Sequence, residues 1–271
     1  MPVSGSAILG EVHLRLLKID ALELPAGTWT ARNVCDPFWR LYRNESDGAF
    51  LSLPNREPFL LHAGRVYLVP AGVFFSCGQT AAFEHFYLHF DVVGLPRLTL
   101  ASLFDGPVEL PKDMEFEERV STLSKITEPN AQRWRAKAIA YEALARHIET
   151  VPDVLRARAL GRAAALEPVA PALALIESSP NSDLDVPTLA RACCFSTDHF
   201  ARLFKSGVGQ SPAIYVQSRR IERAAERLLT TSDSLERIAE DCGLGNRFYL
   251  SRVFTRKMGV SPATYRRQGM V

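Results

Sequence analysis

The sequence predicts an α+β multidomain chain: an N-terminal antiparallel β-barrel, helices after it, and an all-α C-terminal domain. Three observations carry this reading. Short β-branched and aromatic runs, broken by Gly and Pro, fill the first hundred residues. Helical spacing of apolar residues takes over from about Asp113. Near the end, "RLFKSGVGQSPAIY" (202–215) is nearly repeated by "RVFTRKMGVSPATY" (252–265).

The 271 residues are enough for two domains of ordinary size, each with its own core. With 47% hydrophobic and 23% charged residues, the chain has a globular composition rather than a disordered one. No run of eighteen apolar residues exists, so no membrane span is expected. The N-terminus, "MPVSGSAILGEVHLRLLKID", lacks a basic start and a sustained apolar core, so no secretion signal is read. Cys35, Cys77, Cys193, Cys194 and Cys242 form no zinc or disulfide spacing. They read as buried thiols in a reducing cytoplasm. The net charge of +2 hides an asymmetry. Residues 181–271 carry 14 Lys+Arg against 9 Asp+Glu, or +5, and the other 180 carry 18 against 21, or −3. A basic end points to a polyanionic partner.

Along the first part, "AFLSL" (49–53), "RVYLV" (65–69) and "HFYLHFDV" (85–92) read as strands. Turn signals separate them: "LPAG" at 24–27, "LPNREP" at 53–58, "HAG" at 62–64 and "PAG" at 70–72. Two helices follow, "DMEFEERVSTLSKI" and "AQRWRAKAIAYEALARHIE", divided by Pro129-Asn130. In the second, Trp134, Ala138, Tyr141, Leu144, Ala145 and Ile148 mark one face. A third helix is expected over 153–166, and "SSPNSDLD" (178–185) reads as a loop. The expected domains are 1–110, 111–166 and 167–271.

In the duplicated segment seven of fourteen aligned positions are identical, where ordinary residue frequencies give about one. Gly209 and Gly259 are placed to end helices in the left-handed conformation. Ser211 and Ser261 are placed to cap the next ones, with proline at the first helical position. Phe204 and Phe254 belong on buried faces. Upstream of each copy lies a shorter helix, with Leu189-Ala190 in one and Ile238-Ala239 in the other. A tight turn follows each, then Ser196 or Asn246 as a cap. Gly243 sits in the second turn, and the second copy has one extra residue there. A helix, a sharp turn and a helix, twice over, is the helix-turn-helix arrangement.

The last hundred residues resemble the DNA-binding domain of the AraC/XylS family of bacterial transcription regulators. The resemblance rests on "LARACCFSTDHFARLFKSGVGQSPAIYVQSRRIERAAERLL" followed by "LERIAEDCGLGNRFYLSRVFTRKMGVSPATYRR". Two positions depart from the family pattern. Leu244 stands where phenylalanine is usual, and Gly245 where a cap often sits. The resemblance implies a sequence-specific regulator bound to double-stranded promoter or operator DNA. It also implies RNA polymerase as a partner when the protein activates.

Two units in one chain can enter successive major grooves, roughly 34 Å apart. The helix between them, about Ser211–Leu229, would be about 27 Å long, with Ile214, Ile221, Ala225 and Leu228 as its packing face. On the first recognition helix Thr197, Asp198, Ala201, Arg202 and Lys205 face outward. On the second, Arg247, Phe248, Ser251, Arg252 and Thr255 do. Arg202 and Arg252 suit bidentate pairing with guanine. Asp198 either accepts from cytosine N4 or caps its helix, and Phe248 either meets a thymine methyl or packs. Arg219, Arg220, Arg223 and Arg227, with Arg266 and Arg267, are phosphate-contact candidates. The alternative for the first four is a solvated face paired with Glu222 and Glu226.

The family often places a small cupin-like β-barrel, then dimerising helices, before this domain. Residues 20–100 have that strand pattern. The resemblance implies a small-molecule effector, such as a sugar, and a homodimer. Trp29, Trp39, Tyr42 and Tyr87 are the candidate lining, since rings stack on sugar faces. His85 and His89 share a strand face with Tyr87 and Asp91 and make at most half a metal site. No metal and no cofactor are expected. No nucleophile motif or phosphate-cradling loop is present, so an enzyme is not expected. The alternative is a metal-dependent cupin enzyme fused to a DNA-binding domain.

Overall fold

The computed structural model describes residues 13–93, 100, 102–178 and 184–268. The chain divides into two compact units, one of Leu14–Val92 with Ala101–Arg156 and one containing Ala157–Val271. The region expected as a separate helical segment, 111–166, is therefore split. Its first two helices belong with the strands and its last ten residues with the C-terminal helices.

In the first unit nine strands are described: β1 (His13–Leu24), β2 (Ala31–Val34), β3 (Trp39–Asn44), β4 (Ala49–Ser52), β5 (Phe59–Leu61), β6 (Val66–Val69), β7 (Phe75–Gln79), β8 (Phe83–Val93) and β9 (Val108–Glu109). They form two sheets, ordered β1-β8-β3-β6-β9 and β2-β7-β4-β5. The expected closed barrel is, among the described residues, an open pair of sheets. The edge strands β2, β5 and β9 have only four, three and two residues. Proline and glycine turns cut them off before they can bridge between sheets. Antiparallel pairing sets Tyr42 opposite Tyr87 and Asn44 opposite His85. One face of β3, β6 and β8 therefore packs Tyr42, Tyr67, Val69 and Tyr87 against Leu51, Leu61 and Phe75 of the second sheet.

Two helices complete this unit, α1 (Met114–Thr122) and α2 (Pro129–Thr150). Asp113 caps α1 by accepting from the Phe116 amide, and it also pairs with Arg146 of α2. Helix α2 buries Ala136, Ile139, Ala140, Ala143 and Leu144. Of the face predicted from sequence only Leu144 is buried, while Trp134 and Tyr141 are 73% and 43% exposed. The helix carries two apolar stripes. The alanine-rich one lets the backbone approach its neighbours closely, so it takes the inner side.

The C-terminal unit contains the rest of α3 (Asp153–Ala164), then α4 (Ala170–Ser178), α5 (Val186–Ala192), α6 (Thr197–Val208), α7 (Pro212–Thr230), α8 (Leu235–Asp241), α9 (Arg247–Met258) and α10 (Pro262–Gln268). By length and composition Asp153–Ser178 matches a membrane-crossing helix. A 3-10 turn at Glu167–Val169 interrupts it, and Leu166, Val169, Ala172, Leu173 and Ile176 are committed to a packed core. That first core also takes Leu189, Phe200, Phe204, Val208, Tyr215 and Val216. A second core gathers Ile221, Ala225, Leu228, Ile238, Leu250, Phe254 and Tyr265.

Helix α7 joins the two cores, but not along one stripe as the sequence suggested. Pro212, Tyr215 and Val216 are buried at its start, and Ile221, Ala224, Ala225 and Leu228 toward its end. At 100° per residue these two sets lie on roughly opposite faces. Ile214 shares the later face but lies at the early end of the helix, outside the second core, and it is 56% exposed.

Candidate nucleic-acid interface

Each half of the C-terminal unit repeats one local design. In the first, α5 ends at a turn where the Phe195 amide donates to the Ala190 carbonyl. In the second, α8 ends where the Leu244 amide donates to the Ala239 carbonyl. Both turns need a left-handed residue. The second uses Gly243, φ 66°, and the first forces Cys194 to φ 57°. That turn leaves the Cys194 thiol exposed, as Cys35 is, so of the five thiols expected to be buried only Cys193 and Cys242 are fully so. The longer helix then begins. Asn246 caps α9, its Oδ1 accepting from the Phe248 and Tyr249 amides. Ser196 holds the same position before α6 but makes no side-chain capping bond, and neither does Ser211 before α7. Ser261 Oγ does accept from the Thr264 amide. Gly209 and Gly259 close α6 and α9 in the left-handed conformation. Each returning chain then sets a tyrosine edge-on to the buried phenylalanine, Tyr215 on Phe204 and Tyr265 on Phe254.

These contacts turn the remaining side chains of α6 and α9 outward. Thr197, Asp198, Arg202 and Lys205 are exposed on α6, with Ala201 half-buried. Arg247, Phe248, Arg252 and Thr255 are exposed on α9, with Ser251 half-buried. Phe248 is 70% exposed, which removes its packing alternative. Asp198 lies in the first turn of α6, where the helix dipole favours a carboxylate. The guanidinium of Arg247 lies 4.8 Å from the centre of the Phe248 ring, and that of Arg252 lies 5.2 Å from the centre of Tyr249.

Several of the expected phosphate arginines are engaged inside the protein. Arg219, only 11% exposed at its side chain, bonds Glu177 and Glu222. Arg227 pairs with Asp233 and Asp241. Arg266 donates to the carbonyls of Leu228 and Asp233, closing the end of α7. For these three the chemistry is that of internal cross-links. Arg220 and Arg223 are half-buried on α7, and Arg267 is exposed. The residues that sequence reasoning missed are Gln217, which donates to the Tyr249 hydroxyl at 2.7 Å, and Lys257, which pairs with Glu222 at 2.9 Å. Their roles depend on which helices meet, and no local pattern encodes that.

The interior of the β unit holds a second cluster. Trp29, Tyr42, Phe83, His85, Tyr87 and His89 pack ring to ring. The Trp29 amide donates to Gln79, whose own amide holds the carbonyls of Pro25 and Ala81. Nδ1 of His85 donates to Asn44 Oδ1 across β3 and β8, and Asn44 Nδ2 is a buried donor with no hydrogen-bond partner among the described residues. Burial pushes the His85 imidazole down to about 3 and holds His89 well below its ordinary range. Trp39 is not part of this cluster. It lies three residues before Tyr42, hence on the other strand face, stacked on Phe90 and edge-on to Phe104. Among the described residues no three His, Cys, Asp or Glu side chains gather as metal ligands.

Residues 189–268 match the family model described as a helix-turn-helix domain. The transcriptional regulator AlkR of Acinetobacter baylyi is 36% identical over 97 residues, 36% of this chain and 32% of that protein. A putative AraC-like transcription regulator of Streptomyces antibioticus is 36% identical over 124 residues, 46% of this chain and 40% of that protein. The chain thus spans well under half the length of these curated relatives. In overall fold it is similar to ToxT from Vibrio cholerae, with a TM-score of 0.56 at 12% identity, covering 94% of this chain and 99% of that one. The paired turns, the outward arginines and the matched region converge on one assignment: residues 189–268 form a helix-turn-helix domain of the kind carried by AraC-like transcription regulators.

Proposed function

We propose that the chain is a sequence-specific DNA-binding regulator that uses both helix-turn-helix units of its C-terminal domain. The observation that carries this reading is the repeated exposure of an arginine-bearing helix, Arg202 on α6 and Arg252 on α9, each held by the same turn and aromatic lock. Selecting bound duplexes from a random DNA pool with the purified chain tests it. Enrichment of a two-part site supports the reading, and recovery of unrelated sequences in proportion to salt-sensitive affinity alone overturns it.

The β unit serves, in this proposal, as a cupin-like sensor for a small effector. The buried Asn44 Nδ2 donor and the Trp29, Tyr42 and Tyr87 rings suit an uncharged, hydroxyl-bearing molecule such as a sugar. A thermal-shift screen of neutral sugars and polyols tests this, because a ligand raises the stability of the state it binds. Metal analysis of the purified protein separates the sensor from the cupin-enzyme alternative. Stoichiometric iron, manganese or zinc would favour the enzyme.

The exposed stripe Trp134, Ala138, Tyr141 and Ala145 on α2 supports self-association as a homodimer. The setting is a reducing cytoplasm, with RNA polymerase as the further partner wherever the bound site favours activation.

A further inference from the structure

We infer that a polar clamp at the middle of α7 fixes α9 relative to the first helix-turn-helix unit, and so sets the spacing at which the two units read DNA. The inference rests on the DNA-binding reading above.

The clamp sits where α7 changes its buried face, between Val216 and Ile221. There neither apolar core holds the helix. Without other contacts the two cores would be joined only by one helix, free to bend and twist about its centre. Polar side chains fill this gap in a continuous chain. Glu177 of α4 meets Arg219 at 2.6 Å, and Arg219 meets Glu222 at 2.7 Å. Glu222 meets Lys257 of α9 at 2.9 Å, while Lys257 Nζ also reaches the Ser218 carbonyl at 3.4 Å. The side chains of Glu177, Arg219 and Glu222 are 12%, 11% and 11% exposed, so water screens these charges weakly. Planar guanidinium and carboxylate groups also restrict orientation in a way that packing alone does not.

A second strut runs beside the first. Gln217 donates to the Tyr249 hydroxyl at 2.7 Å, and the Tyr249 ring lies under the Arg252 guanidinium. The middle of α7 thereby reaches the base-reading candidate through one intervening ring. Gln217, Glu222, Tyr249 and Lys257 are positioning residues in this scheme, acting on DNA through α9.

The test has two arms on the full chain, comparing wild type with Glu222→Gln and Tyr249→Phe. Both changes are nearly isosteric, and Tyr249→Phe keeps the ring beneath Arg252. In the first arm, spin labels on ketone-bearing non-natural side chains at Ser206 and Arg256 leave the native cysteines alone. Wild type should give a narrow distance distribution, and each variant a broader one at unchanged thermal stability. In the second arm, DNA selected from a random pool should show one fixed spacing for wild type. The variants should accept spacings altered by one or two base pairs, with about a tenfold loss at the preferred one. A broad wild-type distribution, or variants with wild-type distances and spacing, overturns the clamp. Broadened variants alongside a wild type that enriches no DNA would leave the clamp standing and overturn the DNA-binding reading. A variant that melts early is replaced by Lys257→Met, which removes the same link from its exposed end.

Discussion

Nδ1 of His85 lies 2.7 Å from Oδ1 of Asn44, with both side chains sealed between the two sheets. The acceptor opposite fixes the tautomer, and burial keeps the ring neutral in the folded chain, with its pKa at about 3. In the unfolded chain the same imidazole titrates near 6.5. Between those values the unfolded state binds a proton that the folded state refuses. Stability is therefore full above about pH 6.5 and falls as pH drops through the window below it. The slope is about 1.4 kcal/mol per pH unit for each such histidine. Melting followed by tryptophan fluorescence should drop between pH 7 and pH 5, before most carboxylates titrate. In His85→Gln the drop should be shallower. A melting temperature unchanged over that interval would refute the neutral interior.

Helix α9 carries one buried aromatic ring and one exposed one. Phe254 is fully buried and edge-on to Tyr265 at a centroid distance of 5.2 Å. Phe254→Ala should cost about 3–5 kcal/mol in chemical denaturation, through lost transfer energy and the cavity left behind. Phe248, six residues earlier, is 70% exposed. Phe248→Ala should shift stability by no more than about 0.5 kcal/mol. Its effect should instead appear as weaker binding to the selected DNA site. Equal loss of stability in both variants would contradict the orientation of α9.

The two turns make opposite predictions. Gly243 holds φ 66° and Cys194 holds φ 57° at the matching point of the first unit. A Cβ in this region costs about 1–2 kcal/mol. Gly243→Ala should therefore lower the unfolding free energy from chemical denaturation by about that amount, whereas Cys194→Gly should be tolerated. Relief of strain there is offset by the added freedom of the unfolded chain. A marked loss on Cys194→Gly would show that the thiol does more than occupy the turn.

Arginines that look alike in the sequence should behave in three ways. Arg252→Ala should cost about 1–3 kcal/mol of binding and relax the preference at one base position. Arg267 is exposed beside Thr264, and Arg267→Ala should weaken all sequences alike and reduce the salt slope by about one. Arg219→Ala removes the guanidinium that pairs with Glu177 and leaves Glu222 only Lys257 of its two cations, so it should act mainly on stability. Salt-dependent binding and denaturation, measured on the same three variants, distinguish these outcomes.

The C-terminal unit was legible because its signals are local. A glycine, a serine-proline pair and a tyrosine at fixed offsets specify a helix end, a helix start and an aromatic lock within a few residues. Strand alternation is legible in the same way: Trp39 and Tyr42 are three apart and so belong on opposite faces. The face change along α7 was not legible. A single-period reading assigns Ile214 and Ile221 to one stripe, and only the presence of two separate cores shows why one is bare. Likewise, Asn44 and His85 are 41 residues apart, and their pairing depends on a register that no local pattern sets.

Helix α2 supplies the last prediction. Its outer stripe repeats an apolar residue every three or four positions, from Trp134 through Ala138 and Tyr141 to Ala145. The flanking charges run from Arg133 at one end to Glu149 at the other, both exposed. Two copies laid antiparallel about Tyr141 would set each Trp134 against the partner's Ile148 and each Arg133 against the partner's Glu149. Small alanines at 138 and 145 would let the backbones approach. A two-fold axis at Tyr141 makes the patch self-complementary, as an isologous interface requires. Sedimentation equilibrium on the full chain should then show a dimer that Trp134→Glu weakens at least about tenfold, or about 1.4 kcal/mol. Arg133→Glu should weaken it too, and adding Glu149→Arg to that variant should restore it, because the exchanged charges face each other again. A wild type that stays monomeric at every concentration, or a charge reversal that fails to rescue, would rule out this pairing.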